Sequence, residues 1–344
     1  MSTLLVTGGN GFLGRQVVSA LQDRGDTVRV LALPSEETSW LRQRGVAVYS
    51  GDVRDFDTLV APVHGVNAVL HLAGLMGVWQ PMADYHAVNV VGTANVCRAA
   101  LAEEARLVHV SSWTVYGMGL GKPVHEAFPL KPLGEPYSMT KAAGDMVVQR
   151  MIVDDRLPAV IVRPGTIFGP GDHLNFARTA DRLRGRRNVL VGSGDNALPL
   201  VYAADVVQGL LRALDDERAI GQAYNITNDE PLTQREFLST IAREIGAAPP
   251  RLRVSYGAFY AGACVAEHLA TLTRSREPIV TRHGVALFGT DNRHSIDKAR
   301  RELGYVPQIG LLEGLRISAA WYRTQHQSSR SVNAPGYAAE EVAG

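Results

Sequence analysis

The stretch that decides the fold is Thr7-Gly8-Gly9-Asn10-Gly11-Phe12-Leu13-Gly14. It lies between a short apolar run and a segment, residues 12–23, whose apolar side chains have helical spacing. Gly8, Gly11 and Gly14 suit a tight turn out of a strand, a close approach of backbone to a pyrophosphate, and close packing of a helix on a sheet. The N–H groups and the positive dipole end of that helix would bind the phosphates. The stretch, Phe12 and Leu13 included, therefore predicts a dinucleotide site at the first strand-to-helix junction.

Outward from this stretch, the first half of the chain alternates short apolar runs with helical segments. The runs are residues 4–6, 28–31, 46–49, 68–72, 107–110 and 159–162. Long helices are predicted over about 84–102 and 138–153. Because strands covered on both faces have continuous apolar sequences, the pattern predicts an α/β fold with a doubly wound, Rossmann-like parallel sheet.

The second half of the chain is less regular, with glycine- and proline-rich loops followed by helical patterns. We predict that residues 1–165 and 201–226 form an interleaved dinucleotide-binding domain. Residues 166–200 and 227–327 would form a smaller, mostly helical substrate lobe over the carboxyl ends of the strands, where ligands bind in such folds. Residues 328–344 are polar and small without a period, which predicts a flexible tail.

Composition and charge exclude several classes of protein. The 344 residues include 35 basic and 34 acidic side chains, and this net charge of +1 argues against a nucleic-acid binder. Two cysteines, Cys97 and Cys264, fit a reducing compartment. No cationic leader and no membrane-spanning apolar stretch is visible, so we expect a cytoplasmic protein. The histidines at 71, 109 and 125 lack metal-ligand spacing, so no metal site is predicted.

A candidate proton-transfer site combines a helix with the end of the preceding strand. Tyr137 and Lys141 are four residues apart, which places both side chains on one helical face. A nearby ammonium favours the ionised phenol, so Lys141 should lower the pKa of Tyr137 from about 10 toward the working pH. Ser112 closes the preceding strand, and its hydroxyl could orient a substrate oxygen toward Tyr137. We therefore predict Ser112, Tyr137 and Lys141 as catalytic residues, with Lys141 also bonded to the cofactor ribose.

Two further strand ends supply candidate cofactor contacts. Asp52 and Val53 end the third strand, where they could face the adenine. Leu72, Ala73 and Gly74 follow the fourth strand, and their small residues let the backbone approach the cofactor.

The end of the second strand bears on the choice between NAD and NADP. An acid there would bind the ribose 2′-hydroxyl and an arginine would accept a 2′-phosphate, but residues 30–35 contain neither. No carboxylate in that segment repels a phosphate, and Arg42 or Arg44 could reach one. Both cofactors stay open, with a slight preference for NADP.

Taken together, these motifs resemble the extended short-chain dehydrogenase/reductases, that is, the NAD-dependent epimerase/dehydratase superfamily. The shared motifs are residues 7–14, Asp52-Val53, His71-Leu72-Ala73-Gly74, Asn89-Val90-Val91-Gly92-Thr93, Ser111-Ser112 through Gly117, Tyr137 to Lys141, and Arg163-Pro164-Gly165. The resemblance covers about residues 1–325 and implies an enzyme with a nicotinamide cofactor. It also implies a homodimer formed through the two long helices.

The resemblance assigns roles to individual positions. Ser112, five residues before Gly117, resembles the family's catalytic hydroxyl, Tyr137 its general acid/base, and Lys141 the partner of that tyrosine. The loop of Pro164, Gly165 and Ile167 resembles the one that touches the nicotinamide.

Departures from the family pattern narrow the reaction. Trp113 and Thr114 stand where sugar-nucleotide dehydratases carry an Asp-Glu pair, which disfavours dehydration. Residues 224–231 and 163–172 resemble the 3β-hydroxysteroid and sterol-4-carboxylate dehydrogenase branch, and the apolar helix at 256–272 would suit a hydrophobic substrate wall. We therefore predict interconversion of a secondary alcohol and a ketone by hydride transfer, on a steroid-like or other hydrophobic 3-hydroxy or 3-oxo small molecule.

Two alternatives stay open. An NDP-sugar 4-epimerase working through a transient 4-keto intermediate would use the same catalytic residues, and a basic run could meet its sugar diphosphate. The run consists of Arg178, Arg182, Arg184, Arg186 and Arg187. A non-catalytic dinucleotide-sensing protein is the second alternative, although a sensor has no need of the intact catalytic set.

Overall fold

The computed structural model describes residues 1–77, 79–273, 278 and 280–332. The strands are β1 (Thr3–Thr7), β2 (Thr27–Ala32), β3 (Ala47–Ser50), β4 (Ala68–His71), β5 (Arg106–Val110), β6 (Ala159–Pro164), β7 (Thr166–Phe168), β8 (Leu190–Val191), β9 (Leu200–Tyr202), β10 (Ala223–Ile226) and β11 (Arg253–Val254).

The α-helices alternate with the strands in the first half of the chain and dominate its second half. They are α1 (Phe12–Asp23), α2 (Ser39–Gln43), α3 (Asp57–Val63), α4 (Met82–His86), α5 (Thr93–Ala102), α6 (Pro136–Asp154), α7 (Phe176–Arg184), α8 (Ala203–Asp215), α9 (Gln234–Glu244), α10 (Tyr256–Thr273), α11 (Arg282–Gly289), α12 (Asp297–Leu303) and α13 (Leu311–Val332).

Seven strands form one parallel sheet in the order β10-β6-β5-β4-β1-β2-β3, which confirms the predicted doubly wound α/β fold. The central strand β1 is buried on both faces. Leu4 and Val6 pack into the core on one side, whereas Leu5 packs into the core on the other. This double burial explains why the strand sequences lack polar alternation.

A second lobe covers the carboxyl edge of the sheet with two short parallel strand pairs, β7–β9 and β8–β11, and with the later helices. Its core includes Phe176 from α7, Phe237 from α9 and Leu311 from α13. The lobe thus has a hydrophobic core of its own beside the two cores of the sheet.

The first of the two long predicted helices is interrupted. A π-helical turn over Ala87–Gly92 separates α4 from α5. At this turn α6 packs very closely, because a Cβ on Gly144 would lie 2.3 Å from the carbonyl oxygen of Asn89. The Asn89 side chain is fixed by a hydrogen bond from its amide to the Thr140 hydroxyl at 3.1 Å. A π turn closes its hydrogen bond over one residue more than an α turn. Here this wider turn lies at the point where α6 makes its close contact.

Helix α13 continues to Val332, so residues 328–332 of the predicted tail are helical, and residues 333–344 lie outside the described residues. Among the helices that the structure describes, none combines the length and the apolar character needed to cross a bilayer.

Candidate active site

A cavity of about 930 Å³ opens along the carboxyl ends of the central strands. The structure places every predicted catalytic and cofactor-binding residue in its wall. These residues are Gly8, Gly11, Phe12, Leu13, Gly14, Asp52, Val53, Leu72, Ala73, Gly74, Ser112, Tyr137, Lys141, Pro164, Gly165 and Ile167. Residues far apart in the chain therefore meet at one sheet edge, as the parallel topology requires.

The glycine-rich turn leaves no room for side chains. Gly8 has a φ of +71°, and a Cβ on it would lie 2.8 Å from the backbone nitrogen of Ala73. A Cβ on Gly14 would lie 2.1 Å from the carbonyl oxygen of Gly8. Helix α1 begins at Phe12, and no side chain of the described residues caps it at Gly11. The uncapped N–H groups beside a bare backbone turn fit the pyrophosphate of a dinucleotide.

The end of the cavity near β2 and β3 contains one ion pair. Arg54 donates from its guanidinium to the Asp52 carboxylate at 2.6 Å, and this hydrogen bond holds the pKa of Asp52 below its usual value. Leu33 and Glu36, just beyond β2, also line the cavity. Arg54 is the one arginine among the described residues that line the cavity. A cation that could meet a 2′-phosphate therefore comes from the segment after β3, and not from Arg42 or Arg44 beyond β2.

Arg42 and Arg44, which could have reached a 2′-phosphate, are not in the cavity wall. Arg44 lies over the ring of Trp40, 5.3 Å from its centroid, and bonds to Gln22. Arg42 bonds to the hydroxyl of Thr38 on its own helix. Neither arginine therefore supports the preference for NADP, and the choice between NAD and NADP stays open.

The three predicted catalytic residues occupy two neighbouring elements, as their spacing predicted. Ser112 follows β5 and lies 3.0 Å from the hydroxyl of Thr114, and it also bonds to the side chain of Tyr137. Lys141, one turn along α6 from Tyr137, donates from Nζ to the carbonyl oxygen of Val110 at 2.7 Å. The sequence analysis did not identify Thr114 as a polar neighbour of the site, although its position two residues after Ser112 could have suggested it.

Burial controls the protonation of this trio. It raises the pKa of the Tyr137 phenol to about 12, against the opposing effect of the hydrogen bond with Ser112. It lowers the pKa of the Lys141 ammonium to about 8. The predicted lowering of the Tyr137 pKa by Lys141 is therefore wrong for the chain by itself, because removal of the phenol from water is the largest effect and Lys141 is not among the groups that shift this pKa.

Ser111, the neighbour of Ser112, has a different role. Its hydroxyl donates to the carboxylate of Asp145 at 2.6 Å, and Arg163 donates to the same carboxylate at 2.9 Å. Both charged side chains are buried, and the arginine also bonds to the hydroxyl of Tyr116. This network connects α6 to β6 and to the end of β5, and it engages the hydroxyl of Ser111 but not that of Ser112.

The second lobe contributes a histidine that sequence reasoning missed. His283 from α11 lines the cavity, and its Nδ1 lies 3.2 Å from the carboxylate of Glu135. That carboxylate is the N-cap of α6, because it accepts hydrogen bonds from the N–H groups of Tyr137 and Ser138. A carboxyl residue directly before Pro136 is a capping signal that the sequence offered. Nothing local to residue 283 indicates its partner 148 positions away.

Apolar side chains fill much of the remaining wall. They include Leu75, Met76, Trp113, Leu174 and Leu287. Trp113 follows Ser112 directly and Leu287 lies one turn beyond His283, so apolar surface adjoins the catalytic groups. None of the arginines at 178–187, all of which the structure describes, lines the cavity. Among the described residues there is also no cluster of His, Cys, Asp and Glu side chains that could hold a metal ion.

Comparisons with known proteins identify the family of this chain. The profile of the NAD dependent epimerase/dehydratase family matches residues 4–227. The chain is 35% identical over 325 residues to the 2-alkyl-3-oxoalkanoate reductase of Stenotrophomonas maltophilia strain K279a, covering 91% of this chain and 97% of that protein. It is 30% identical to the 3 beta-hydroxysteroid dehydrogenase/Delta 5→4-isomerase of Mycobacterium tuberculosis, covering 94% and 90%. The crystal structure of gox2253 superposes with a TM-score of 0.80 at 29% identity, covering 94% and 99%.

Proposed function

The chain belongs to the NAD-dependent epimerase/dehydratase family and is an NAD(P)-dependent oxidoreductase of the extended short-chain type, and from this premise we propose its reaction. It interconverts a secondary alcohol and a ketone by hydride transfer on a largely apolar 3-hydroxy or 3-oxo substrate. The names of the reductase and the hydroxysteroid dehydrogenase described above support this reaction, because each name places an oxygen on carbon 3 of a hydrocarbon-rich molecule.

One observation carries the proposal: the catalytic tyrosine and serine open onto a wall of apolar side chains. Trp113 and Leu287 supply such surface beside Ser112 and His283. A sugar diphosphate would need several cationic partners, and Arg54, which is paired with Asp52, is the one arginine among the described lining residues. The absence of the 178–187 arginines from the cavity wall and the lack of a carboxylate at Trp113 and Thr114 favour simple oxidoreduction over epimerisation or dehydration.

In the proposed reaction each residue of the site has its own role. The uncapped start of α1 would hold the pyrophosphate, and Pro164 and Gly165 would contact the nicotinamide. When bound, the nicotinamide supplies or accepts the hydride. In the reducing direction the Tyr137 phenol, protonated because of its raised pKa, donates its proton to the substrate oxygen as that oxygen gains charge. The Ser112 hydroxyl orients the oxygen, and the Lys141 ammonium stabilises the phenolate left behind.

The test is a cofactor-absorbance assay with apolar 3-oxo acids and 3-hydroxysteroids beside nucleotide sugars. We expect net cofactor oxidation or reduction with an apolar substrate and none with a nucleotide sugar. Tyr137→Phe should lose at least about a hundredfold in kcat, the usual contribution of a general acid, while it still binds the cofactor. Epimerised nucleotide sugar without a net absorbance change, or full turnover by Tyr137→Phe, would overturn the proposal.

We also propose a homodimer formed through the long helices α5 and α6. On α6, Met139, Met146 and Val153 are exposed and lie seven residues apart, so they form one apolar stripe. A stripe of this kind is stabilised when a second copy covers it. Light scattering should give twice the chain mass, and Met146→Glu should shift the mass toward that of one chain.

A further inference from the structure

Helix α10 is apolar on its outer face as well as on its inner one, where Phe259 and Tyr260 pack against the buried cluster of Val191, Ala263 and Val285. Ala263, Glu267 and Ala270 are buried against the lobe, and the Glu267 carboxylate accepts a 2.6 Å hydrogen bond from Arg282 of α11. On the opposite side the helix exposes Ala258, Ala261, Gly262, Val265, Leu269 and Leu272. Steps of three or four residues connect position 258 with 261 or 262, then 265, 269 and 272, so the six positions form a single face, here called the outer face of α10, with the exposed His268 at its edge. The largest side chains are 60% (Val265), 53% (Leu269) and 67% (Leu272) exposed.

No part of the described chain covers the large side chains of this outer face. A surface helix normally buries its apolar face and exposes its polar one. Here the charged side chain of the helix is inside, while its solvent face contains no charged residue. A continuous exposed apolar face of this kind indicates an interaction surface.

Arginines adjoin the beginning of this helix. Strands β8 and β11 are parallel and hydrogen-bonded, with Leu190 opposite Arg253, so the segments that lead into them enter side by side. Those segments contain Arg186 and Arg187 on one side and Arg251 on the other, all exposed. None of these arginines forms an ion pair with the described residues. The surrounding sequence has no acidic residue from 185 to 194 or from 245 to 266.

We propose that the outer face of α10 and four exposed arginines together form a docking surface for an anionic lipid bilayer; the four are Arg186, Arg187, Arg251 and Arg253. An apolar helical face with unpaired cations close to the start of the helix fits a helix that lies in the plane of the membrane interface. The apolar side chains enter the acyl boundary while the guanidinium groups meet phosphate headgroups. The helix does not cross the bilayer, since its inner face is committed to the lobe through Ala263 and Glu267.

The surface lies beside the active-site cavity. Helix α10 packs on α11 through Ala263 and Val285, and α11 places His283 and Leu287 in the cavity wall. A chain docked in this way would hold its cavity near the membrane interface, where an apolar substrate accumulates. The surface is separate from the stripe of Met139, Met146 and Val153 on α6, so the dimer proposed above would leave it uncovered.

The experiment is vesicle flotation of the full chain without substrate, so that its outcome does not depend on the proposed reaction. Vesicles of phosphatidylcholine alone are compared with vesicles that also contain phosphatidylglycerol. We expect binding to the anionic vesicles that weakens as salt is raised. The double variant Leu269→Gln/Leu272→Gln should bind about tenfold more weakly. The double variant Arg251→Gln/Arg253→Gln should lose about tenfold and much of the salt dependence.

The matched control is Leu312→Gln, which removes an exposed leucine from α13 and should bind like the wild type. Equal binding of the wild type and the α10 variant would overturn the proposal, as would absence of binding to anionic vesicles. Light scattering distinguishes a membrane from a second copy of the chain as the partner of this face. If Leu269→Gln/Leu272→Gln halves the mass in solution, the face binds a second copy and the proposal is wrong. Thermal denaturation of each variant shows that it is folded.

Discussion

The ring of His283 packs edge-to-face against the ring of Tyr137, with the ring centroids 5.9 Å apart and the planes at 83°. Tyr137 opens helix α6 of the sheet domain, whereas His283 belongs to α11 of the second lobe. The same histidine pairs with Glu135, the residue that caps α6. His283 of the second lobe therefore contacts both Tyr137 and the residue that caps the helix of Tyr137, so the contact between the lobes helps to position this phenol.

We expect His283→Ala to lower kcat by about tenfold, because a small displacement of a reacting group has a large effect on rate. The ring that packs on Tyr137 is lost, and so is the hydrogen bond to Glu135. Steady-state kinetics measure the effect. His125→Ala is the matched control, since His125 contacts Phe128 away from the active-site cavity and its removal should leave kcat unchanged. An unchanged kcat in His283→Ala would show that the lobe contact does not position the phenol.

Glu135 also gives a prediction about stability and pH. Burial alone would raise the pKa of this carboxyl, but the hydrogen bonds from His283 and Ser138 outweigh it and the pKa is lowered. A lowered pKa stabilises the folded chain above the unfolded value of about 4.3, and this contribution is lost as pH falls through the folded pKa. Glu135→Ala should cost about 1 kcal/mol at neutral pH, and less in acid. Urea unfolding at both pH values tests this, and an equal loss at both would contradict it.

Lys141 should make catalysis sensitive to alkaline pH. Burial lowers its pKa to about 8, so the ammonium that we propose to stabilise the Tyr137 phenolate during the reaction is lost as pH rises through that value. We expect the rate of ketone reduction to fall above about pH 8 in the wild type. Lys141→Met should retain little activity and lack this transition, because no ammonium is left to titrate. A profile that is flat through this range in the wild type would show that the charge of Lys141 does not assist Tyr137.

The sequence was sufficient to predict the fold and those residues of the candidate site that lie close together in the chain. The glycine stretch before α1 and the alternation of apolar runs predicted the sheet, because strand ends of a parallel sheet meet at one edge. The spacing of Tyr137 and Lys141 placed them on one face of α6 by helix geometry alone. The boundaries of most strands agree with the predicted runs to within two residues.

The features that sequence missed depend on tertiary burial and on distant partners. The raised pKa of Tyr137 follows from desolvation, which no spacing rule contains. The π turn over Ala87–Gly92 serves the close contact with Gly144, and a helical pattern does not indicate it. His283 reaches Glu135 across two lobes, so only the folded chain shows the pair. Each of these depends on long-range packing.

Arg54 should influence the choice of cofactor. It is the one arginine among the described residues that line the cavity, and it lies near Leu33 and Glu36 at the end where β2 terminates. If the slight preference for NADP is right, Arg54→Gln should raise the KM for NADP by about tenfold through loss of a charged hydrogen bond. The KM for NAD should change little. Arg44→Gln serves as the control, because Arg44 stacks on Trp40 outside the cavity. If the wild type prefers NAD, the preference for NADP is wrong, and Glu36 is then the candidate partner of the ribose 2′-hydroxyl.

Gly14→Ala should impair both cofactor binding and stability. The new Cβ would lie 2.1 Å from the carbonyl oxygen of Gly8, a rigid backbone atom, so α1 must move away from the turn. Overpacking of this kind costs about 1–3 kcal/mol, and the displaced helix end would no longer reach the pyrophosphate. Thermal denaturation with and without NAD and NADP measures both effects, and we expect a lower melting temperature with a reduced ligand-induced shift. Gly257→Ala is the control, because a Cβ on Gly257 meets nothing within 4 Å. A Gly14→Ala chain whose melting temperature still rises with cofactor as in the wild type would show that the turn does not hold the pyrophosphate.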